Sequence, residues 1–157
     1  MTEIRRVLFV CAGNICRSPM AEAIFRRRAQ EHLGLAAIEV ESAGTIAVDG
    51  NRALLGTRDV MQHEFGLDIS RHRARRLTEK MEADLILTTD TYVTSEVSSL
   101  GLAGHVEMLG DYAGTGEEIA DPYGGSEDGY RQCASTIDRL IEAVIRRLAG
   151  EDAAPGS

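Results

Sequence analysis

A cysteine and an arginine with five residues between them, set between an apolar run and a Ser-Pro pair, constrain this chain more than any other feature. The stretch Val7-Leu-Phe-Val-Cys11-Ala-Gly-Asn-Ile-Cys-Arg17-Ser18-Pro19 predicts a buried strand, a loop and a helix start in direct succession. Ser18 suits a helix cap and Pro19 the first helical position. A loop of this length, closed onto a helix N-terminus, wraps a tetrahedral oxyanion. Ala12, Gly13, Asn14, Ile15 and Cys16 would supply inward-facing amides, the helix dipole adds positive potential, and Arg17 offers a bidentate fork. Gly13 gives the loop torsional freedom, and Asn14 tolerates the left-handed conformation. A cysteine at the mouth of such a loop faces that positive potential, which favours its thiolate. Cys11 therefore reads as a nucleophile for phosphoryl transfer. The competing reading is a core cysteine at a strand end beside a surface arginine. A nucleotide-binding P-loop is excluded, because the Gly-Lys-Ser/Thr ending is missing.

The rest of the chain alternates strands and helices. Strands are expected at Ile4–Val10, Ile38–Glu41, Leu85–Thr88 and His105–Leu109. Helices are expected at about Pro19–His32, Arg52–Phe65, within Thr91–Leu100, and Glu127–Ala149. In the first helix Ala21, Phe25, Ala29 and Leu33, flanked by Ile24, form one stripe that Gly34 closes. The last helix has the clearest period, through Tyr130, Ala134, Ile137, Ile141, Val144 and Leu148. Gly66 closes the second helix, and the glycine-rich stretch 110–125 reads as loop. This order implies an α/β three-layer sandwich: a four-stranded parallel sheet with helices on both faces and an N-terminal phosphate-binding loop. Cys11 then sits at a carboxyl strand end, where function gathers in such sheets.

A length of 157 residues fits one domain, residues 1–150, followed by a short polar tail, 151–157. A formal charge of −8 argues against a nucleic-acid partner. Two basic clusters interrupt the acidic balance, at 26–28 and 71–76. Both read as solvated helix or loop faces, and the second has an alternative reading in which it steers a dianion towards the site. No apolar run is long enough to cross a membrane. Three cysteines without a secretion signal suit a reducing, cytoplasmic setting. The histidines have no metal-ligand spacing, so no metal and no cofactor are expected.

Phosphoryl transfer from an ester also needs an acid to protonate the leaving group. Asp121-Pro122, in the glycine-rich stretch before the last helix, is the candidate, with a plain Asp-Pro surface turn as the alternative reading.

Cys11-Ala-Gly-Asn-Ile-Cys-Arg-Ser-Pro-Met-Ala-Glu22 resembles the signature of the low-molecular-weight protein tyrosine phosphatase family. The resemblance continues through Glu41-Ser-Ala-Gly44, His72-Arg-Ala-Arg75, Ala83-Asp-Leu-Ile-Leu87 and Asp121-Pro-Tyr-Gly124, and covers residues 4–148. It implies a phosphocysteine intermediate on Cys11, phosphate binding by Arg17, and Asp121 as general acid and then base. It implies that Asn14, Ser42 and His72 hold the loop in shape and that Ser18 hydrogen-bonds the Cys11 sulfur. It also implies that Cys11 and Cys16 can form a protective disulfide; Cys133 reads as structural. The implied partner is a phosphorylated protein or peptide, with inorganic phosphate or vanadate as inhibitors.

The substrate pocket expected from the resemblance is Ile15, Ile46 and Tyr123. Ile15 stands where the family's arginine phosphatase branch carries Thr, and its methyl groups suit an aromatic ring. Asp121-Pro-Tyr-Gly-Gly-Ser126, and a loop 45–51 with no Trp or Tyr, point towards the arginine branch. The sequence reading favours phosphotyrosine, with protein arginine phosphatase as the alternative and a non-catalytic phosphate-binding module as a remote one. Arsenate reductases share the fold and loop but relay through later cysteines, and residues 77–100 contain none.

Overall fold

A computed structural model describes residues 3–151. All but the first residue of the expected tail lies outside the described residues. The strands are β1 (Arg6–Cys11), β2 (Glu39–Gly44), β3 (Leu85–Thr88) and β4 (His105–Met108). The helices are α1 (Arg17–Gln30), α2 (Leu55–Phe65), α3 (Thr91–Ser99), α4 (Leu109–Tyr112) and α5 (Glu127–Leu148). The four strands are parallel and ordered β2-β1-β3-β4, as the alternating pattern requires.

β1 has a neighbour on each side and is buried from Val7 to Cys11. Its side chains alternate between the two faces, as the period of two dictates. Val7 and Phe9 enter the larger core with Met20, Ile24 and Phe25 of α1, Val60 and Met61 of α2, and Ile137, Ile141 and Val144 of α5. Leu8 and Val10 enter a smaller core with Val93 and Val97 of α3. Phe9 and Phe25 meet edge to face, with centroids 5.6 Å apart. The sheet is thus covered on both faces, and β1 is held firmly enough to aim whatever follows Cys11.

Several boundaries differ from the sequence reading. α1 begins at Arg17, with Cys16 at the cap position and no side-chain cap. Ser18 and Pro19 are the second and third helical residues, so Ser18 is no cap and its hydroxyl is free for other use. The helix ends at Gln30, which puts Leu33 off the stripe and into full exposure at 104%. β2 runs on to Gly44 because Ser42, Ala43 and Gly44 pair with Phe9, Val10 and Cys11; sheet pairing overrides the turn-like composition. α2 starts three residues later than expected, at Leu55, and ends at Gly66 in the left-handed region (φ 66°). Leu109 opens α4 in place of closing β4. α4 itself arises where glycines suggested loop, because Gly110 packs on backbone: a Cβ there would lie 1.9 Å from the Glu117 carbonyl oxygen.

Gly44 ends β2 against the loop after β1. A Cβ at Gly44 would sit 2.5 Å from the Ala12 carbonyl oxygen and 2.9 Å from the Asn14 nitrogen. Gly44→Ala is therefore expected to destabilise by about 1–3 kcal/mol, roughly 3–10 °C in Tm for a chain of this size. Phosphate binding should weaken further than stability alone explains. Thermal melts with and without phosphate check this, and an unchanged Tm with full phosphate stabilisation would contradict it.

Candidate active site

The loop from Cys11 to Arg17 is held from outside through its carbonyls. The Cys11 oxygen accepts from Thr45 N–H at 3.0 Å, Ala12 from Ile46 at 2.9 Å, and Ile15 from Leu54 at 3.0 Å. The Asn14 oxygen accepts from His72 Nε2 at 2.7 Å, which makes that nitrogen the protonated one. With these carbonyls turned outward, the amides are left for the interior, as an oxyanion site demands.

Asn14 is the only described non-glycine residue with positive φ, at 58°, and it is fully buried. Every polar group it carries is used. Its amide N–H donates to the Cys11 sulfur at 3.2 Å. Its Nδ2 donates to Ser18 Oγ at 2.7 Å and Ser42 Oγ at 3.0 Å. Its Oδ1 accepts from the Arg75 amide at 2.9 Å. Ser42 donates onward to Glu22 Oε1 at 2.6 Å, and Arg26 reaches Glu22 Oε2 at 2.7 Å. A conformation that costs most residues free energy is thus fixed by a directional chain. Ser18 Oγ, which accepts from Asn14, lies 3.0 Å from Cys11 Sγ and 3.5 Å from the Ala43 carbonyl oxygen.

Arg17 is 4% exposed, and its orientation is fixed by two acceptors on one nitrogen. Nη1 donates to Asp90 Oδ2 at 2.8 Å and to the Ile119 carbonyl at 2.8 Å. Nη2 lies 3.8 Å from Asp121 Oδ2. Asp90 also caps α3, accepting from Val93 N–H at 2.8 Å. Asp121 is half exposed, and its Oδ1 accepts from Tyr123 N–H at 3.1 Å. The acid loop is anchored just before Asp121, where Ile119 N–H donates to the Thr89 oxygen at 2.9 Å.

One cavity of about 220 Å³ gathers Cys11, Ala12, Gly13, Ile15, Cys16, Arg17, Ile46, Asp121 and Tyr123. The expected nucleophile, phosphate ligand, acid and pocket residues therefore share one space, while Asn14, Ser18, Ser42 and His72 lie behind it. Ile15 folds over the loop, its Cγ1 3.4 Å from where a Gly13 Cβ would stand. Ile46 and Tyr123 form an exposed rim, at 61% and 66%.

Cys16 is buried, and that burial pushes its thiol up to about 11. Cys133 is likewise buried and pushed up to about 12. It lies in a neighbouring cavity behind the acid loop and not in this one. All three cysteines are free thiols.

Sequence reasoning missed Asp90 and Arg75 and gave Glu22 no role. Asp90 had a signal, since it follows the carboxyl end of β3 and opens a helix. The 71–76 cluster, read as a solvated face with steering as the alternative, also has a structural part. His72 and Arg75 grip the back of the phosphate loop. In the 26–28 cluster Arg26 and Arg27 are exposed, as a solvated face requires, while Arg28 is half-buried on Asp138 at 2.6 Å. Among the described residues there is no acid, histidine and cysteine group fit to hold a metal, and no helix long and apolar enough to cross a membrane.

Residues 6–154 match the family described as low molecular weight phosphotyrosine protein phosphatase. The chain is 38% identical to a probable low molecular weight protein-tyrosine-phosphatase EpsP of Ralstonia nicotianae, over 92% of this chain and 97% of that one. It is 31% identical to a protein-arginine-phosphatase of Geobacillus stearothermophilus, over 93% and 97% respectively. A crystal structure of low molecular weight protein tyrosine phosphatase from T. tengcongensis superposes with a TM-score of 0.83 at 35% identity, covering 90% of this chain and 98% of that one. With that likeness along nearly its whole length, the chain belongs to the low molecular weight protein tyrosine phosphatase family, a class of cysteine-dependent hydrolases acting on phosphoproteins.

Proposed function

We propose that this protein hydrolyses phosphotyrosine in proteins, with Cys11 as nucleophile, Arg17 as phosphate ligand and Asp121 as general acid and base. The observation that carries the reading is the single cavity holding Cys11, Arg17 and Asp121 together with Ile15, Ile46 and Tyr123. The Cys11 sulfur attacks phosphorus in line, and the ester P–O bond breaks. Asp121 gives its proton to the departing phenolate oxygen. Arg17 and the loop amides hold the three equatorial oxygens as charge develops on them. Asp121, now a carboxylate, takes a proton from water as that water attacks phosphorus. The P–S bond breaks, inorganic phosphate leaves, and the Cys11 thiolate returns with the hydrogen bond from Ser18 supporting its charge. Inorganic phosphate and vanadate fit the same loop as inhibitors. No step calls for a cofactor, and the domain occupies residues 1–150 in this reading.

Phosphotyrosine is favoured by the pocket walls. An apolar cavity of about 150 Å³ accommodates a benzene ring, and this one is larger and walled by Ile15, Ile46 and Tyr123. A guanidinium substrate would leave its N–H groups facing the Ile15 methyls, at about 1–3 kcal/mol for each one unpaired. The arginine alternative draws on the rim, where Asp121 and the Tyr123 ring offer a carboxylate and a π face to a cation.

Three outcomes are expected. A phosphotyrosine peptide should exceed a matched phosphoarginine peptide in kcat/KM by about tenfold or more, with Cys11→Ser inactive on both. The reverse order would make the protein an arginine phosphatase by the same mechanism, whereas Cys11→Ser binding phosphate beside a wild type with no turnover would mark a binding module. Asp121→Asn should lower kcat by about 10²–10⁴ on phosphotyrosine, with a smaller loss on p-nitrophenyl phosphate, whose leaving group needs less protonation. Equal losses would remove Asp121 from the acid role. Because burial keeps Cys16 and Cys133 protonated below about 11 and 12, iodoacetate at pH 7 should label Cys11 alone, and phosphate should block it. Peptide mapping that finds the label mainly on Cys16 would overturn this assignment.

A further inference from the structure

Residues 52–76 hold six arginines on a chain of formal charge −8. Two of them, Arg52 and Arg73, face each other across an isolated antiparallel bridge, and both are exposed. Side chains opposed in this way project from the same face with Cβ atoms about 5 Å apart, where like charges destabilise. Other arginines of the cluster have local acidic company. Arg75 pairs with Glu41 at 3.1 Å, and Asp68 lies beside Arg71. Among the described residues, no carboxylate lies within ion-pair distance of Arg52 or Arg73. The Arg73 guanidinium is nevertheless oriented, its Nη1 donating to the His72 oxygen at 2.8 Å and the Ser70 oxygen at 3.2 Å. Its Nε–Nη2 edge, the fork that grips a carboxylate with two parallel bonds, stays open.

Both arms of this bridge lead straight into the site. Arg73 follows His72, which holds the Asn14 carbonyl at 2.7 Å. Arg52 stands two residues before Leu54, whose N–H holds the Ile15 carbonyl at 3.0 Å. Ile15 itself lines the cavity. The paired charges therefore stand on the two segments that brace the Asn14–Ile15 edge of the loop, near exposed Val48 and Leu55.

We propose that Arg52 and Arg73 form a docking ridge for acidic side chains that flank the phosphorylated residue of a protein substrate. This rests on the phosphatase reading above and adds a sequence preference to it. A peptide seated in the cavity advances about 3.3 Å per residue when extended. A Glu or Asp two to four positions from the phosphorylated residue then reaches the two guanidiniums and relieves their repulsion. Charge complementarity selects this occupant: the surface of an acidic protein offers an isolated cationic pair beside a site that already takes a dianion.

The test uses the full-length enzyme and three substrates: p-nitrophenyl phosphate, a phosphotyrosine peptide flanked by Glu on both sides, and the same peptide flanked by Gln. The Glu peptide should show about fivefold or greater kcat/KM over the Gln peptide at low salt, and the gap should close in about 0.5 M NaCl. The double variant Arg52→Gln/Arg73→Gln should erase the gap by raising KM for the Glu peptide alone, leaving kcat and p-nitrophenyl phosphate turnover unchanged. Equal kcat/KM for the two peptides in the wild type overturns the ridge and leaves the phosphatase reading standing. A double variant that slows all three substrates in parallel also overturns it, since the pair would then be structural. Competition by single-stranded RNA without peptide discrimination would reassign the surface to nucleic acid. A wild type inactive on all three overturns the phosphatase reading and this proposal together.

Discussion

The site depends on one residue held where its backbone does not want to be. Asn14 sits in the left-handed region with no solvent contact, and its amide, carbonyl and side chain are each matched by a partner. Those partners come from β1, α1, β2 and the 72–75 segment. The strain is local, while the forces that hold it are spread through the fold. Such a loop keeps its shape before any anion arrives, so little reorganisation is required when charge develops on phosphorus. Ser18, which holds Asn14, also meets the Cys11 sulfur, so the shape of the loop and the surroundings of that sulfur share one network.

Arg17 shows the same economy on the opposite wall. A buried guanidinium without acceptors would be costly, and Asp90 and the Ile119 carbonyl remove that cost while setting its angle. Both acceptors use Nη1, which leaves Nη2 towards the cavity and near Asp121. Asp90 serves a helix cap and an active-site arginine with its two oxygens. α3 therefore covers the smaller core and, through its cap, also positions Arg17.

What the sequence disclosed follows from range. The strand, the loop, the left-handed Asn14, the αL end at Gly66 and the α5 stripe are specified within a few neighbouring residues, and each is found where the pattern puts it. Cys11 and Arg17 belong to this group. Asp121, Ser42 and His72 became legible only through a family resemblance, since a turn Asp, a turn Ser and a surface His carry no local mark. Asp90 and Arg75 escaped because their roles exist only after distant segments meet. Ser18 was misjudged for a related reason. Its local preference is to cap a helix, but the burial of Cys16 and the pairing of Ser18 with Asn14 and Cys11 draw it two positions past the cap. Gly110 was misjudged because glycine signals a loop and close packing equally well, and only the approach of the Glu117 backbone distinguishes them.

The partners of Arg17 have a consequence for how the molecule comes into being. The residue is contributed near the start of the chain, yet its acceptors lie 73 and 102 positions further on. Contacts of that separation close late, after local helices and neighbouring strands have formed. During synthesis the phosphate loop emerges well before the groups that fix Arg17, by 73 residues for Asp90 and 102 for Ile119. A nascent or truncated chain therefore presents Cys11 without its finished cradle, and the loop is complete only with the last third of the sequence.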